Sequence, residues 1–421
     1  MKVLIVNKFL FPNGGSESYI FRLGEELERA GCEVQYFGME HGGRIVGNRA
    51  QSYTSEIDFH APGVRKFLAP FRLLYSWEAR RKLRAVLEDM RPDAVHLNNI
   101  NFQLTPSVIE EVRAFDKKNG RKTYLFITAH DSQWMCPGHL LRIPSTGELC
   151  RRCVDGSVWN CAKYRCIHDS RARSLLGSME GALYRMKKTY GLVDAVICPS
   201  EFMKEILSHH PRLRDKCVVL HNFVGAGDTE TGFTADRESA ERYVLYFGRY
   251  GEEKGIRDML GAASIDTEIP FVLAGRGELQ SEVDDAVKNA ALLPDGTPHI
   301  RDVGFKSGDE LAALIRGAAF VVFPSVCHEN CPLSLMEAQS AGVPVIASAL
   351  GGIPELMEDD GTGELVPAGD VQLLAERIRS LWNDTGRCRR YSERARSFAK
   401  ERYPDPAGYT QELIKMIGSS E

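Results

Sequence analysis

The sequence predicts an α/β chain built from two doubly wound domains, each with a parallel sheet. Three observations carry this expectation. The chain has 421 residues, too many for one ordinary core. Short continuous apolar runs alternate with segments of helical period, as parallel strands covered on both faces require. The alternation also occurs as two series, separated by FVGAGDTETGFTADRESAE (223–241), a stretch rich in Gly, Thr and Asp that reads as a linker.

The first series opens with the buried-type strand Lys2–Val6 (KVLIV), followed by the loop NKFLFPNGGSES. In the next segment Ile20, Leu23, Leu27 and Ala30 fall at helical spacing, Gly31 ends the helix, and Val34–Phe37 begins another strand. DAVHLNN (93–99) is a strand, TPSVIEEVRAFDKKNG a helix, and KTYLFITAH and DAVICPS are strands. In the second series RYVLYFGR, FVLAGRG, FVVFPS and VPVIAS are strands, and GIRDMLGAASI, DELAALIRGA, LSLMEAQSAG and DVQLLAERIRSLW are helices. The expected organisation is a first domain over 1–220 with a Cys-rich insertion at about 136–168, a linker over 221–241, and a second domain over 242–402. A final helix over 403–421 crosses back to the first domain.

Composition is that of an ordinary soluble protein, 43% hydrophobic and 26% charged with a net charge of −4. No nucleic-acid partner is expected. The charge is unevenly spread, however. Residues 62–91 carry eight Lys/Arg against three Asp/Glu, interleaved with Phe67, Leu68, Phe71, Leu74, Tyr75 and Trp77. This stretch suits an anionic bilayer surface, or else is an apolar-faced helix lying on the sheet with a solvated basic side. Met1 leads directly into a strand, without a charged leader region or a cleavage site, and no apolar run approaches the ~20 residues that span a bilayer. The expected location is therefore cytoplasmic, at most peripheral on the inner face of a membrane.

Ligands of doubly wound sheets bind outside the carboxyl ends of the strands, so the loops there are the candidate sites. Gly14–Gly15 follows the first strand and opens a helix, where backbone N–H groups and the positive dipole end can meet an anion; the plain alternative is a turn. It does not fit the G-x-G-x-x-G dinucleotide pattern. GRYGEEKG (248–255) puts Arg249 and Lys254 at a strand end, a fork and a point charge suited to a diphosphate, or else a solvated loop partnered by Glu252 and Glu253. Glu329 lies in the loop after FVVFPS, Pro332 suits the first turn of the next helix, and Glu337 lies one to two turns inside it. The N–H groups near Leu333–Leu335 then point back to the loop carrying Glu329.

These motifs together resemble the retaining GT-B glycosyltransferases of family 4, also called glycosyltransferase group 1. The matching segments are FGRYGEEKG, LAGRGEL, DVGFKSGDELAALIRGAAFVVFPSVCHENCPLSLMEAQSAGVPVIAS and GGIPELMEDDGTGELVPAGD. NKFLFPNGGSESYIFRLGEELERAGCEV, HLNN and FITAHDS supply the first half. The resemblance implies two Rossmann-like domains facing across a cleft, and hexosyl transfer from a UDP- or GDP-sugar to a glycan or lipid-linked acceptor in polysaccharide or envelope assembly. It implies that Arg249 and Lys254 bind the donor diphosphate, Glu329 the sugar hydroxyls and Glu337 the ribose. Gly14 and Gly15 approach the phosphates, Gly275 and Arg276 of LAGRGEL line the base pocket, Leu333 belongs to the helix start, and His130 lies beside the reacting sugar. Asn330-Cys331-Pro332 stands where many members have Gly-Phe-Gly, which bears on sugar specificity. Catalysis on this reading needs no cofactor, and the chain has no Asp-x-Asp to hold a metal at the diphosphate. The alternatives are a glycoside hydrolase or phosphorylase-type enzyme using Glu329 and Glu337 as its acid–base pair, or a non-catalytic nucleotide-sugar-binding module.

Eleven cysteines in a reducing compartment argue against a disulfide framework. Cys150, Cys153, Cys161 and Cys166 are spaced C-x2-C-x7-C-x4-C, as in a small structural zinc site, with an iron–sulfur cluster, plain thiols or a disulfide as alternatives. Cys136, His139 and His168 lie close enough to replace one thiol.

Overall fold

The computed structural model describes residues 1–56, 72–224 and 242–418. The chain divides into two compact units, Met1–His221 with Pro406–Glu421, and Asn222–Asp405.

In the first unit six strands form one sheet in the order β2-β1-β3-β4-β5-β6. They are β1 (Lys2–Val6), β2 (Glu33–Phe37), β3 (Ala94–Leu97), β4 (Tyr124–Thr128), β5 (Ala195–Cys198) and β6 (Cys217–Val219). Every pairing is parallel. Such a sheet needs helices on both faces, which is why β1 after Lys2 and β5 read as unbroken apolar runs, while β3 carries the buried His96. The helix Gly15–Arg29 buries Ile20, Leu23 and Leu27, which its period selects, and also Tyr19, which the period did not mark. Ala30 is instead its exposed C-cap, and Gly31 at φ +84° turns the chain away. The helix Trp77–Met90 buries Ala79, Leu83, Val86, Leu87 and Met90. This half of the basic stretch is thus an apolar-faced helix packed on the core. Phe67, Leu68 and Phe71 lie outside the described residues. The terminal helix Pro406–Gly418 packs on Gly15–Arg29, and the Tyr409 hydroxyl lies 2.6 Å from that of Tyr19.

The second unit repeats the design with the order β12-β11-β10-β7-β8-β9, again all parallel. Its strands are β7 (Val244–Arg249), β8 (Phe271–Arg276), β9 (Ile300–Asp302), β10 (Phe320–Phe323), β11 (Val345–Ser348) and β12 (Gly363–Val366). Two apolar clusters cover its two faces, one around Leu335, Met336 and Ile353, the other around Met259, Leu374 and Ile378.

Both orders reverse direction beside their first strand. The chain runs outward one way from β1 and returns to β3, and runs outward from β7 and returns to β10. Loops after those strands therefore diverge, opening a crevice at the carboxyl edge of each sheet.

Candidate functional site

In the second unit the crevice lies between the loops that follow β7 and β10. Arg249 is the last residue of β7, and its guanidinium, 60% exposed, pairs with Glu253. Glu253 sits in the short 3-10 turn Glu252–Lys254, which ends at Gly255 with φ +69°. A Cβ at Gly255 would lie 1.7 Å from the Pro324 carbonyl oxygen, so only glycine lets the two loops cross this closely. That crossing puts Lys254 Nζ 2.7 Å from Glu329 Oε1. The Ser325 hydroxyl is also 2.7 Å from Glu329 Oε1. Burial alone would lower the Lys254 pKa, but the Glu329 carboxylate beside it outweighs burial and the net shift is upward.

The Glu329 backbone is anchored separately. Its carbonyl accepts from Gly352 N at 2.8 Å, and Gly351 (φ +62°) passes so close that a Cβ would stand 2.1 Å from that oxygen. Pro332 is the N-cap of the helix Leu333–Ser340, one position before the first turn where the sequence suggested it. Leu333 therefore opens the helix, and half-buried Glu337 is its fifth residue. Gly275 and Arg276 end β8 in register with Gly248 and Arg249 of β7, with the Arg276 guanidinium 4.7 Å from the Phe305 ring centre. Arg249, Lys254, Glu329, Leu333, Gly275 and Arg276 thus all belong to the carboxyl edge of one sheet.

The first unit brings its own candidates to the corresponding edge. Gly14 is the N-cap of the helix Gly15–Arg29, whose first turn holds buried Glu17, hydrogen-bonded to Asn7 Nδ2 at 3.0 Å. His130 follows β4, with Nε2 2.9 Å from Asn98 Oδ1. Desolvation holds its imidazole down at about 4, against a smaller opposing pull from Asp131. A small cavity there is lined in part by Asn98, Asn101, Thr128, His130, Asp131 and Trp134. Asn98 and Ser325 were not singled out from the sequence, although HLNN and FPS both lie at strand ends where such residues would be sought.

The cysteine expectation needs correction. Among the described residues no group of three or more His, Cys, Asp and Glu side chains is placed to hold a metal ion, so the zinc set Cys150, Cys153, Cys161 and Cys166 is not supported. Cys150 is only half buried and takes a hydrogen bond from Arg152 at 3.4 Å. Cys153, Cys161 and Cys166 are buried together, and the fourth thiol beside them is Cys136. Their hydrogen bonds are pairwise, Cys136 with Cys153 and Cys161 with Cys166, and the two pairs also interact electrostatically with each other.

Two family descriptions divide the chain between them. "Glycosyl transferase 4-like domain" matches residues 14–222, and "Glycosyl transferases group 1" matches residues 229–398. The chain belongs to the group 1 glycosyltransferases. Among curated relatives it is 28% identical over 235 residues to an uncharacterized glycosyltransferase of Methanocaldococcus jannaschii, covering 56% of this chain and 62% of the relative. It is 31% identical over 141 residues to the amylovoran biosynthesis glycosyltransferase AmsK of Erwinia amylovora, covering 31% of this chain and 34% of the relative. The chain spans less than two thirds of the length of these relatives. Among solved structures, Anabaena Alr3699/HepE in complex with UDP and glucose superposes with a TM-score of 0.67 at 17% identity, covering 100% of both chains. That likeness shows the fold, two doubly wound α/β domains of the GT-B type.

Proposed function

We propose that this protein is a retaining hexosyltransferase. It moves a sugar from a nucleotide-diphosphate sugar, UDP- or GDP-linked, to a glycan or lipid-linked acceptor in polysaccharide or cell-envelope assembly. The observation that carries the reading is the Lys254–Glu329 pair, held by Gly255 and Gly351 in the crevice between the loops after β7 and β10. One of the three Lys254 N–H donors goes to Glu329, which leaves two for phosphate oxygens. Glu329 uses Oε1 for Lys254 and Ser325, so Oε2 serves the sugar hydroxyls. Arg249, on the same loop, supplies the second cation. Breaking the anomeric bond leaves charge on the diphosphate, and these cations with the N–H groups opening Leu333–Ser340 stabilise it. On the family resemblance Glu337 is assigned to the ribose, Gly275 and Arg276 to the base, Gly14 and Gly15 to the donor phosphates, and His130 to the reacting sugar. Same-face attack, in which the acceptor hydroxyl gives its proton to the departing phosphate, retains configuration without a protein base.

Support for the donor class comes from HepE, solved with UDP and glucose, and support for the pathway class from AmsK, named for amylovoran biosynthesis. A peripheral membrane position is part of the reading. No described helix is long and apolar enough to cross a bilayer. Trp77 is 72% exposed, however, and the exposed Arg81 follows it by one helical turn, an arrangement suited to an anionic headgroup layer.

The test is nucleoside diphosphate release from UDP-, GDP- and ADP-sugars, with and without acceptor glycans, followed by Lys254→Ala and Glu329→Ala. Each variant should lose on the order of 10²-fold or more in kcat, and anomeric NMR of the product should show retention. Full activity in Lys254→Ala, or release from none of the donors, would refute the proposal. Flotation with anionic and neutral liposomes tests the membrane part, which fails if neither binds.

A further inference from the structure

β3 and β4 are neighbouring parallel strands, so Asn98 and His130 arrive at the same edge of the sheet. The Asn98 amide is oriented from behind, because its Nδ2 donates to the His96 carbonyl at 3.4 Å. Its Oδ1 therefore faces His130 Nε2, 2.9 Å away. A carbonyl oxygen only accepts, so Nε2 carries the imidazole proton and Nδ1 carries the lone pair. The ring is neutral at physiological pH, since desolvation holds its pKa at about 4.

The ring plane is set by Tyr19, which meets it edge to face at 5.2 Å and 71°. Tyr19 is itself held by Thr128 at 3.2 Å and Tyr409 at 2.6 Å. The titratable groups around His130 are Asp131 on its own loop, His96 on β3 and Tyr19 from the helix Gly15–Arg29. Burial keeps His96 neutral and pushes the Tyr19 hydroxyl up to about 12. Neither changes charge between pH 5 and 9, so the tautomer of His130 is set by Asn98.

We propose that Asn98 is a positioning residue for glycosyl transfer: it fixes His130 as the Nε2–H tautomer, which presents Nδ1 as a hydrogen-bond acceptor to a hydroxyl of the donor sugar. The inference rests on the proposed place of His130 beside that sugar. It adds what the ring does there, which is to accept a hydrogen bond in the neutral state and neither donate nor shuttle a proton.

The tautomer is read directly, on the full chain carrying ¹⁵N-labelled histidine, from the long-range ¹H–¹⁵N pattern of His130. Wild type should show Nε2–H alone, and Asn98→Ala should show a mixture. A wild-type Nδ1–H tautomer, or an Asn98→Ala spectrum unchanged from wild type, overturns the proposal whatever the activity. The second readout is kcat/KM against pH, with the donor identified by the nucleotide-sugar screen. Asn98→Ala should lose about tenfold, the scale of one misplaced hydrogen bond, at every pH. Asn98→Asp places a carboxylate on Nε2 and raises the His130 pKa, so that below it Nδ1 becomes protonated and stops accepting. A new acid limb should therefore appear between about pH 5 and 7, falling tenfold per pH unit. A residue that only supports the fold would lower activity equally at all pH values, and an Asn98→Asp profile parallel to wild type overturns the proposal. His130→Ala separates the two levels: if it keeps full turnover, the placing of His130 at the sugar fails, while the tautomer result stands or falls alone.

Discussion

At Lys254 two opposing effects meet. Removal from water disfavours the ammonium, the Glu329 carboxylate favours it, and the second prevails. A folded-state pKa above the ordinary 10.5 means that the pair stabilises the fold fully below that value. The contribution is lost as pH rises through the raised folded pKa. Lys254→Met should thus cost about 1–3 kcal/mol at pH 7, since it strands a charged acceptor. Urea unfolding of wild type and variant should converge as pH rises through the raised Lys254 pKa, and a gap that stays constant would argue against the pairing. Gly351 offers a second residue-scale test through the backbone. Gly351→Ala meets both a left-handed φ and the Glu329 carbonyl at 2.1 Å, whereas Gly369→Ala (φ +80°) meets the φ alone, with nothing within 4 Å. The Gly369 change should cost roughly 1 kcal/mol. The Gly351 change should cost clearly more by denaturant titration and should also depress donor turnover. Equal costs would mean that the Glu329 loop yields freely.

At the scale of elements, what could be read from the sequence depended on length and locality. The helix Gly15–Arg29 runs for four turns, and its buried stripe was visible as a period. The edge strands β6 and β9, three residues each, and β12, four residues, carry too few alternations to stand out from loops. Lys254 and Glu329 are 75 positions apart, and no spacing rule joins them. The topology that reverses beside β7, and the family resemblance, put them on one edge. The cysteines failed for the same reason in reverse. C-x2-C made Cys150 and Cys153 look like partners because they are close in sequence. Cys153 instead contacts Cys136, 17 positions upstream, while Cys150 turns to Arg152. Cys136→Ser should therefore lower the melting temperature by about 2–4 °C, and Cys150→Ser should leave it unchanged. Equal effects from the two would restore the sequence-local reading.

At the scale of the molecule, the two units differ in how continuous they are. Asn222–Asp405 is one uninterrupted segment with apolar clusters of its own on both sheet faces. The first unit is not: it takes its last helix, Pro406–Gly418, from beyond the second unit. That helix buries Tyr409, Leu413 and Ile417, and Tyr409 closes the hydrogen-bond chain through Tyr19 to Thr128. Each such side chain is worth about 1.5–3 kcal/mol of burial. Their sum is comparable to the ~5–15 kcal/mol that separates a folded domain from its unfolded chain. Cutting the chain should therefore have unequal consequences. A fragment of residues 222–405 should melt cooperatively on its own. A fragment of residues 1–221 should show weakened near-ultraviolet dichroism and an early, broad transition, and appending 406–421 through a flexible linker should restore a sharp one. If 1–221 alone melts as sharply and as late as the version carrying the helix, the terminal helix contributes little to the first unit. The Tyr409–Tyr19–Thr128 chain would then be incidental to how His130 is held.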